Sequence, residues 1–290
     1  MDILVLGGGP AGATAAIYAA RGGQSVTLVY EDGGALARAE RIENYYGFPT
    51  SITGPDLFRQ GLEQARAMGV TIVKAQILGL GFGQEGLEAE TTAGTLAAPA
   101  VILATGTQRR RPRIPGLDEL DGAGVSYCAV CDGFFCRGKE VAVLGAGPYA
   151  LHEAGVLLPL ARRVTLLTNG EPADGLPQGL ELDSRPVAAL EGDGGALSAI
   201  RFSDGSAMEV SRLFVALGTA GSGDLARKVG LLTEHGTIVV DGAMATNVPG
   251  LFAAGDCTGG LPQVATAVAQ GAVQRTSCLA PLADYEVSQQ

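Results

Sequence analysis

Two cysteines three positions apart, followed at once by an acid, carry the clearest chemistry in the chain: Tyr127-Cys128-Ala129-Val130-Cys131-Asp132-Gly133. C-x-x-C spacing lets two sulfurs meet when the first stands at a helix N-terminus, where the dipole favours thiolate. A thiolate attacks a disulfide and a neighbouring cysteine resolves the mixed disulfide, so the pair reads as a redox couple. Asp132 is placed to carry a proton to or from a departing sulfur. The competing reading is a structural zinc site, which needs four ligands. Cys136, Cys257 and Cys278 are scattered, His152 and His235 are the sole histidines, and no second C-x-x-C completes a set, so no metal is expected. The other three cysteines read as small buried hydrophobes, and both histidines as ordinary surface residues.

Two copies of a strand, glycine turn, helix and strand frame the pair. In the first, Asp2–Leu6 is a short apolar run suited to a strand buried on both faces. Gly7-Gly8-Gly9-Pro10-Ala11-Gly12 follows, then an alanine-rich helix from Ala11 to about Arg21, then a strand over Ser25–Tyr30 ending at Glu31. This is a dinucleotide-binding fingerprint in full context. Gly7 makes the turn, Gly9 admits a pyrophosphate, and Gly12 lets helix and strand pack closely. Glu31 stands where a carboxylate binds ribose hydroxyls. The second copy runs from the strand Glu140–Leu144 through Gly145-Ala146-Gly147-Pro148-Tyr149-Ala150 to a helix over Leu151–Leu160 and a strand over Arg163–Leu167. The offset that leads from Gly12 to Glu31 leads here from Ala150 to Asn169, which is neither acid nor arginine. Gly170, Glu171 and Pro172 supply no basic cluster for a 2′-phosphate, and Tyr149 is bulky where the first copy has Ala11. Gly145, Gly147, Tyr149, Ala150 and Asn169 thus outline a second nucleotide fold whose ligand stays open.

Other landmarks place these copies in two nested α/β Rossmann-like domains, the second inserted in the first. Ala100–Leu103 with Ala104-Thr105-Gly106-Thr107 reads as a strand and glycine turn, echoed by Leu213–Leu217 with Gly218-Thr219. Pro112–Pro115 reads as a crossover, and Gly250–Asp256 as a strand ending in an acidic turn before a helix from about Gln263. The expected division is residues 1–114 with 243–290 for the first domain and 115–242 for the central one. Of the 290 residues, 47% are hydrophobic and 17% charged, enough for a large core. Net charge of −10 argues against nucleic acid, which demands a basic surface. No apolar run reaches about 18 residues and no basic segment precedes the first strand, so neither a membrane span nor a signal peptide is expected. A cytoplasmic location follows as an expectation, and with it reduced cysteines rather than a structural disulfide framework.

The chain resembles the low-molecular-weight thioredoxin reductases over nearly its full length. The matching residues are Gly7–Gly12, Ile42-Glu43-Asn44, Ala104-Thr105-Gly106, Cys128-Ala129-Val130-Cys131-Asp132-Gly133-Phe134-Phe135, and Gly255-Asp256 with Gln263. The resemblance implies FAD held by Gly7, Gly9, Gly12, Glu31, Asn44, Asp256 and Gln263, with Pro10, Ala11, Ala104, Thr105, Gly106 and Gly255 completing the cradle. It implies Cys131 nearest the flavin C4a, Cys128 as attacker of a thioredoxin-like disulfide, and Asp132 as acid/base. It also implies a central domain that swings between flavin and partner, and a homodimer.

Two departures bear on the electron donor. The family's glycine motif is altered to Gly145–Ala150, and its histidine and two arginines, which grip NADPH, are replaced by Thr168-Asn169-Gly170. The central domain is also short after Leu167. The donor is therefore expected not to be NADPH bound in the usual way; relatives use ferredoxin or flavodoxin, or hold a second flavin. An ordinary NAD(P)H-dependent reductase, an oxygen-using dithiol oxidase and a non-catalytic flavin redox sensor stand as alternatives. The run Arg109-Arg110-Arg111-Pro112-Arg113 reads as a solvated interdomain loop or as a dock for an acidic ferredoxin.

Overall fold

The structure, a computed structural model, describes residues 2–84, 86–107 and 112–278, with side chains up to residue 273. Arg109–Arg111 and the Cys278 side chain lie outside the described residues. The chain divides into two compact units, Met1–Gln108 with Gly221–Gln290, and Arg109–Ala220.

The first unit opens with β1 (Ile3–Leu6), α1 (Pro10–Arg21) and β2 (Val26–Tyr30), then α2 (Gly54–Ala67), β3 (Thr71–Lys74), an antiparallel triplet β4 (Ile77–Gly83), β5 (Gly86–Thr91) and β6 (Gly94–Ala98), and β7 (Ala100–Leu103). All four residues of β1 are buried because the strand pairs in parallel with β2 on one side and β7 on the other. Each such aliphatic side chain taken out of water contributes roughly 1.5–3 kcal/mol. Both α1 and the second unit's corresponding helix start at a proline, whose missing N–H and fixed φ suit the first helical position.

The second unit holds β8 (Val125–Ser126), α3 (Ala129–Asp132), β9 (Glu140–Leu144), α4 (Pro148–Leu157), β10 (Arg163–Leu167) and β11 (Leu180–Asp183). An antiparallel triplet β12 (Val187–Asp193), β13 (Ala196–Phe202) and β14 (Ala207–Glu209) follows, and then β15 (Arg212–Val215). Its parallel sheet runs β11-β10-β9-β15-β8. No helix joins β10 to β11; residues 168–179 cross as turns. The core gathers Leu117, Val125, Leu144, Leu190, Ile200, Phe202 and Leu213, so the antiparallel triplet closes over one face of the parallel sheet.

The chain returns to the first unit through α5 (Ser222–Lys228), the hairpin β16 (Thr233–Glu234) and β17 (Thr237–Ile238), β18 (Leu251–Ala253) and α6 (Val264–Cys278). The first sheet is then β18-β7-β1-β2-β3, all parallel. Segment 221–242, which the sequence suggests for the central domain, packs on the first unit instead. There α5 lies against β4, and Lys228 Nζ donates to Leu78 O at 3.1 Å. Helix α6 lies on α1 so closely that a Cβ at Gly271 would overlap Ala11 O. Among the described residues no helix is long and apolar enough to cross a membrane.

Candidate functional site

The turn after β1 is shaped by backbone contact. Gly7 has φ +116°, its N–H donates to Val29 O at 2.8 Å, and a Cβ there would overlap Ala104 O. A Cβ at Gly12 would overlap Gly7 O. Gly9 differs: it has φ −67° and no protein atom within 4 Å of a built Cβ. Neither strain nor packing within the chain calls for glycine there, which fits close approach of a ligand. No side chain caps α1 at this end, so its first N–H groups point free, as an anion requires.

Ala104 and Thr105 come up against Gly7, and Gly255 against Ala11. Gly255 has φ +85°, faces the Ala11 methyl, and donates its N–H to Gln270 Oε1 at 2.7 Å. Ala11, Ala104, Ala254 and Ala267 form one small apolar cluster. Thr105 Oγ1 is buried without a hydrogen-bond partner, a vacancy that a cofactor's polar atoms suit. Asn44 Nδ2 donates to Gln263 Oε1 at 2.8 Å, tying together loops 219 residues apart. Asp256 opens a short turn pinned by Cys257, whose thiol donates to Ala254 O at 3.2 Å. Burial pushes that thiol up to about 12, so it acts as a buried donor and not as a nucleophile. Glu31 directly follows β2, and its carboxyl is pushed up by burial and then by Asp32. It makes no hydrogen bond or ion pair to other described residues, leaving its oxygens for ribose hydroxyls. These features fit a dinucleotide.

In the second unit Cys128 and Cys131 form a disulfide with Cα atoms 5.3 Å apart. Cys128 is the N-cap of α3, as the spacing predicts, and its Sγ accepts from Cys131 N–H at 3.2 Å. Cys128 is buried and Cys131 exposed. Asp132 Oδ2 accepts from Ser126 Oγ at 2.6 Å, and Ser126 Oγ accepts from Cys128 N–H at 3.2 Å, so the acid reaches the Cys128 backbone through a hydroxyl. From α4, Glu153 Oε2 accepts from Ala129 N–H at 2.7 Å. Ser126 and Glu153 are absent from the sequence reading. Glu153 had a signal: it shares the buried stripe of Tyr149, Ala150, Ala154 and Leu157, an apolar row where an acid needs a partner. Beside the pair, Val130, Phe134 and Phe135 are more than half exposed, with Arg137 over the Phe134 ring and Arg212 over the Phe135 ring. Cys136 is buried, and burial raises its thiol. His152 is not a plain surface residue; its Nδ1 lies 3.3 Å from Glu153 Oε1.

The second glycine turn repeats the first in backbone. Gly145 N–H donates to Leu167 O at 2.9 Å, a Cβ at Gly145 would overlap Ala216 O, and Gly147 faces open space. Ala150 packs its methyl towards Gly145. Tyr149 is buried, 1% exposed. Asn169 takes Glu31's place in register but has φ +54°, and its Oδ1 accepts from Val187 N–H at 2.8 Å. Its acceptor therefore holds β12. Arg185 is no substitute for the missing cations, since it is bonded to Asp183 and stacked over Phe202. Thr168 Oγ1 is buried and unpartnered. Among the described residues no cluster of histidine, cysteine and acid could hold a metal.

Comparison with known proteins follows the same lines. The family model for pyridine nucleotide-disulphide oxidoreductases matches residues 1–174 and 177–271. A thioredoxin reductase of Listeria innocua is 34% identical over 93% of this chain and 90% of its own length. The atypical thioredoxin reductase TRi of Desulfovibrio vulgaris Hildenborough superposes with a TM-score of 0.90 at 41% identity, covering 96% of both chains. A ferredoxin-flavin thioredoxin reductase of Clostridium acetobutylicum gives 0.72 at 31% identity, again over 96% of both. Thioredoxin reductases are FAD-binding enzymes. A dinucleotide cradle in one unit, a C-x-x-C disulfide in the other and likeness along the whole chain place it in the pyridine nucleotide-disulphide oxidoreductase family, among the thioredoxin reductases, as a flavin disulfide oxidoreductase.

Proposed function

We propose that this enzyme reduces a thioredoxin-like protein disulfide with electrons drawn from FAD, and that its donor is not NADPH gripped by its 2′-phosphate. The observation that supports the first part most is the Cys128–Cys131 disulfide in a loop flanked by exposed Val130, Phe134 and Phe135. An apolar face beside a redox sulfur suits a protein partner better than a small thiol.

When bound, FAD supplies a two-electron reductant for the disulfide. Gly7, Gly9 and Gly12, with Pro10 and Ala11 at the start of α1, hold its pyrophosphate, and Glu31 holds a ribose. Ala104, Thr105, Gly106, Asn44, Gly255, Asp256 and Gln263 complete the cradle. Exposed Cys131 is the sulfur that receives the electron pair, and the S–S bond breaks to release Cys128. The Cys128 thiolate, with Cys131 N–H directed at it, attacks the partner disulfide. Cys131 then attacks the mixed disulfide, re-forming Cys128–Cys131 and freeing the second partner thiol. The net change is two electrons and two protons to the partner, with Asp132 as proton carrier.

The donor reading is supported by Thr168-Asn169-Gly170-Glu171, which carries no cation, and by the committed Asn169 side chain. A reduced ferredoxin is the donor class favoured, since the Clostridium acetobutylicum neighbour is a ferredoxin-flavin enzyme. The open Gly147 favours a second reading, in which the turn holds a nucleotide without a 2′-phosphate, either NADH or a second FAD. Anaerobic flavin bleaching with NADPH, NADH and photoreduced ferredoxin in turn separates these. Rapid bleaching at micromolar NADPH would overturn the donor proposal. Bleaching by ferredoxin alone would uphold it, and two flavins per chain would establish the second reading.

A further inference from the structure

Glu153 belongs neither to the glycine turn nor to the sulfur chemistry, yet it is 1% exposed. A carboxyl buried in an apolar stripe is unfavourable unless bonded. Its Oε2 accepts from Ala129 N–H, and Ala129 is the first residue of α3, directly after Cys128. The opening N–H groups of a helix have no partner inside it. Here three are assigned: Cys128 N–H to Ser126 Oγ, Ala129 N–H to Glu153, and Cys131 N–H to Cys128 Sγ. Only the middle bond comes from a distant element.

We propose that Glu153 is a positioning residue of the dithiol couple: by holding Ala129 N–H it pins α3, keeping the two sulfurs within reach and Cys131 N–H on Cys128. The inference depends on the reading that Cys128 and Cys131 cycle. Reduction breaks the S–S bond, two electrons enter, and each sulfur takes a proton; Glu153 adds nothing to that balance. It acts on the equilibrium. A pinned turn keeps two thiols at high effective concentration and favours ring closure, so loosening it shifts the couple towards dithiol.

The test uses the full-length holoprotein, equilibrated anaerobically in dithiothreitol buffers of set ratio, with Cys128 and Cys131 trapped by alkylation and counted by mass spectrometry. Glu153→Leu removes the acceptor and is expected to shift the equilibrium constant about tenfold towards dithiol, about 30 mV for this two-electron couple. Glu153→Gln keeps an amide oxygen for Ala129 N–H and is expected to stay within about threefold of the unaltered protein. Ala129→Pro deletes the donor instead. Proline suits a first helical position, and Cys128 is already extended (φ −146°, ψ 102°), as the residue before proline must be. Its shift should match that of Glu153→Leu, and the double variant should add little. An unchanged constant in flavin-loaded, cooperatively folded Glu153→Leu overturns the inference, and so does Glu153→Gln shifting as far as Glu153→Leu. If Glu153→Leu does not fold, an unchanged constant in Ala129→Pro overturns it equally. A pair that no dithiothreitol buffer reduces would overturn the cycling itself, a result distinct from unchanged constants in a pair that cycles.

Discussion

The two glycine turns share a backbone and differ in what stands at their rims. Gly7 and Gly145 make matching hydrogen bonds to the neighbouring strand, at 2.8 and 2.9 Å, both helices begin at proline, and Gly9 and Gly147 both face open space. At the first turn Gly12 seats the helix on the strand, and Glu31 keeps its oxygens free of other described residues. At the second, Ala150 puts a methyl between helix and turn, and Asn169 spends its carbonyl on Val187 N–H. The two turns thus share the backbone geometry that suits a pyrophosphate, and on the proposed reading it is the side chains at the strand end that set which nucleotide is held.

The sharpest way to break this contrast is at the helix–turn contact. Gly12→Val should lose at least about 100-fold in FAD affinity and roughly 1–3 kcal/mol of stability, because the new Cβ meets Gly7 O. Its mirror, Ala150→Gly, should alter stability by no more than about 1 kcal/mol and leave the flavin-to-protein absorbance ratio unchanged. If Ala150→Gly changed that ratio as Gly12→Val does, the second turn would also hold flavin and the contrast would fail.

At the rims, Glu31→Gln should weaken FAD about tenfold, near 1.4 kcal/mol, by titration of the flavin-free protein. Asn169→Ala should leave that titration unchanged and lower urea stability by about 1 kcal/mol, through the lost bond to Val187. A fall in flavin binding in Asn169→Ala would show that the second turn also holds flavin.

The smallest effect is on pH. Burial first, and Asp32 second, push the Glu31 carboxyl above its ordinary value of 4.5. An acid with a raised folded pKa binds more protons folded than unfolded, so its penalty is absent below the unfolded value and complete above the folded one. Melting of the flavin-free protein should therefore fall slightly as pH rises through the window just above 4.5, by about 1 °C given the solvent exposure of the group. Glu31→Gln should flatten that fall. An equally sloped profile in the variant would place the titration elsewhere.

Much of the fold was legible because its signals are local. Both fingerprints, the Cys128 N-cap and the strand-end acid are read within about thirty residues, where glycine spacing and apolar runs state backbone needs directly. The two antiparallel triplets, Ile77–Ala98 and Val187–Glu209, left a weaker mark: short, glycine-broken strands carry little periodicity. The domain boundary was displaced for a related reason. The local sequence of α5 does not name its neighbours, and its packing against β4 and β17 assigns it to the first unit.

By itself, the sequence determined that a dinucleotide and a C-x-x-C couple belong to this chain, since those demands fall on neighbouring backbone atoms. Tertiary structure decided which side chains pair across the fold. It joined Asn44 to Gln263, Gly255 to Gln270 and Ala129 to Glu153, buried Tyr149 and bonded Asn169 to β12. Such pairings arise when distant segments are packed against one another, and a buried polar atom then takes whatever partner the packing brings within about 3 Å.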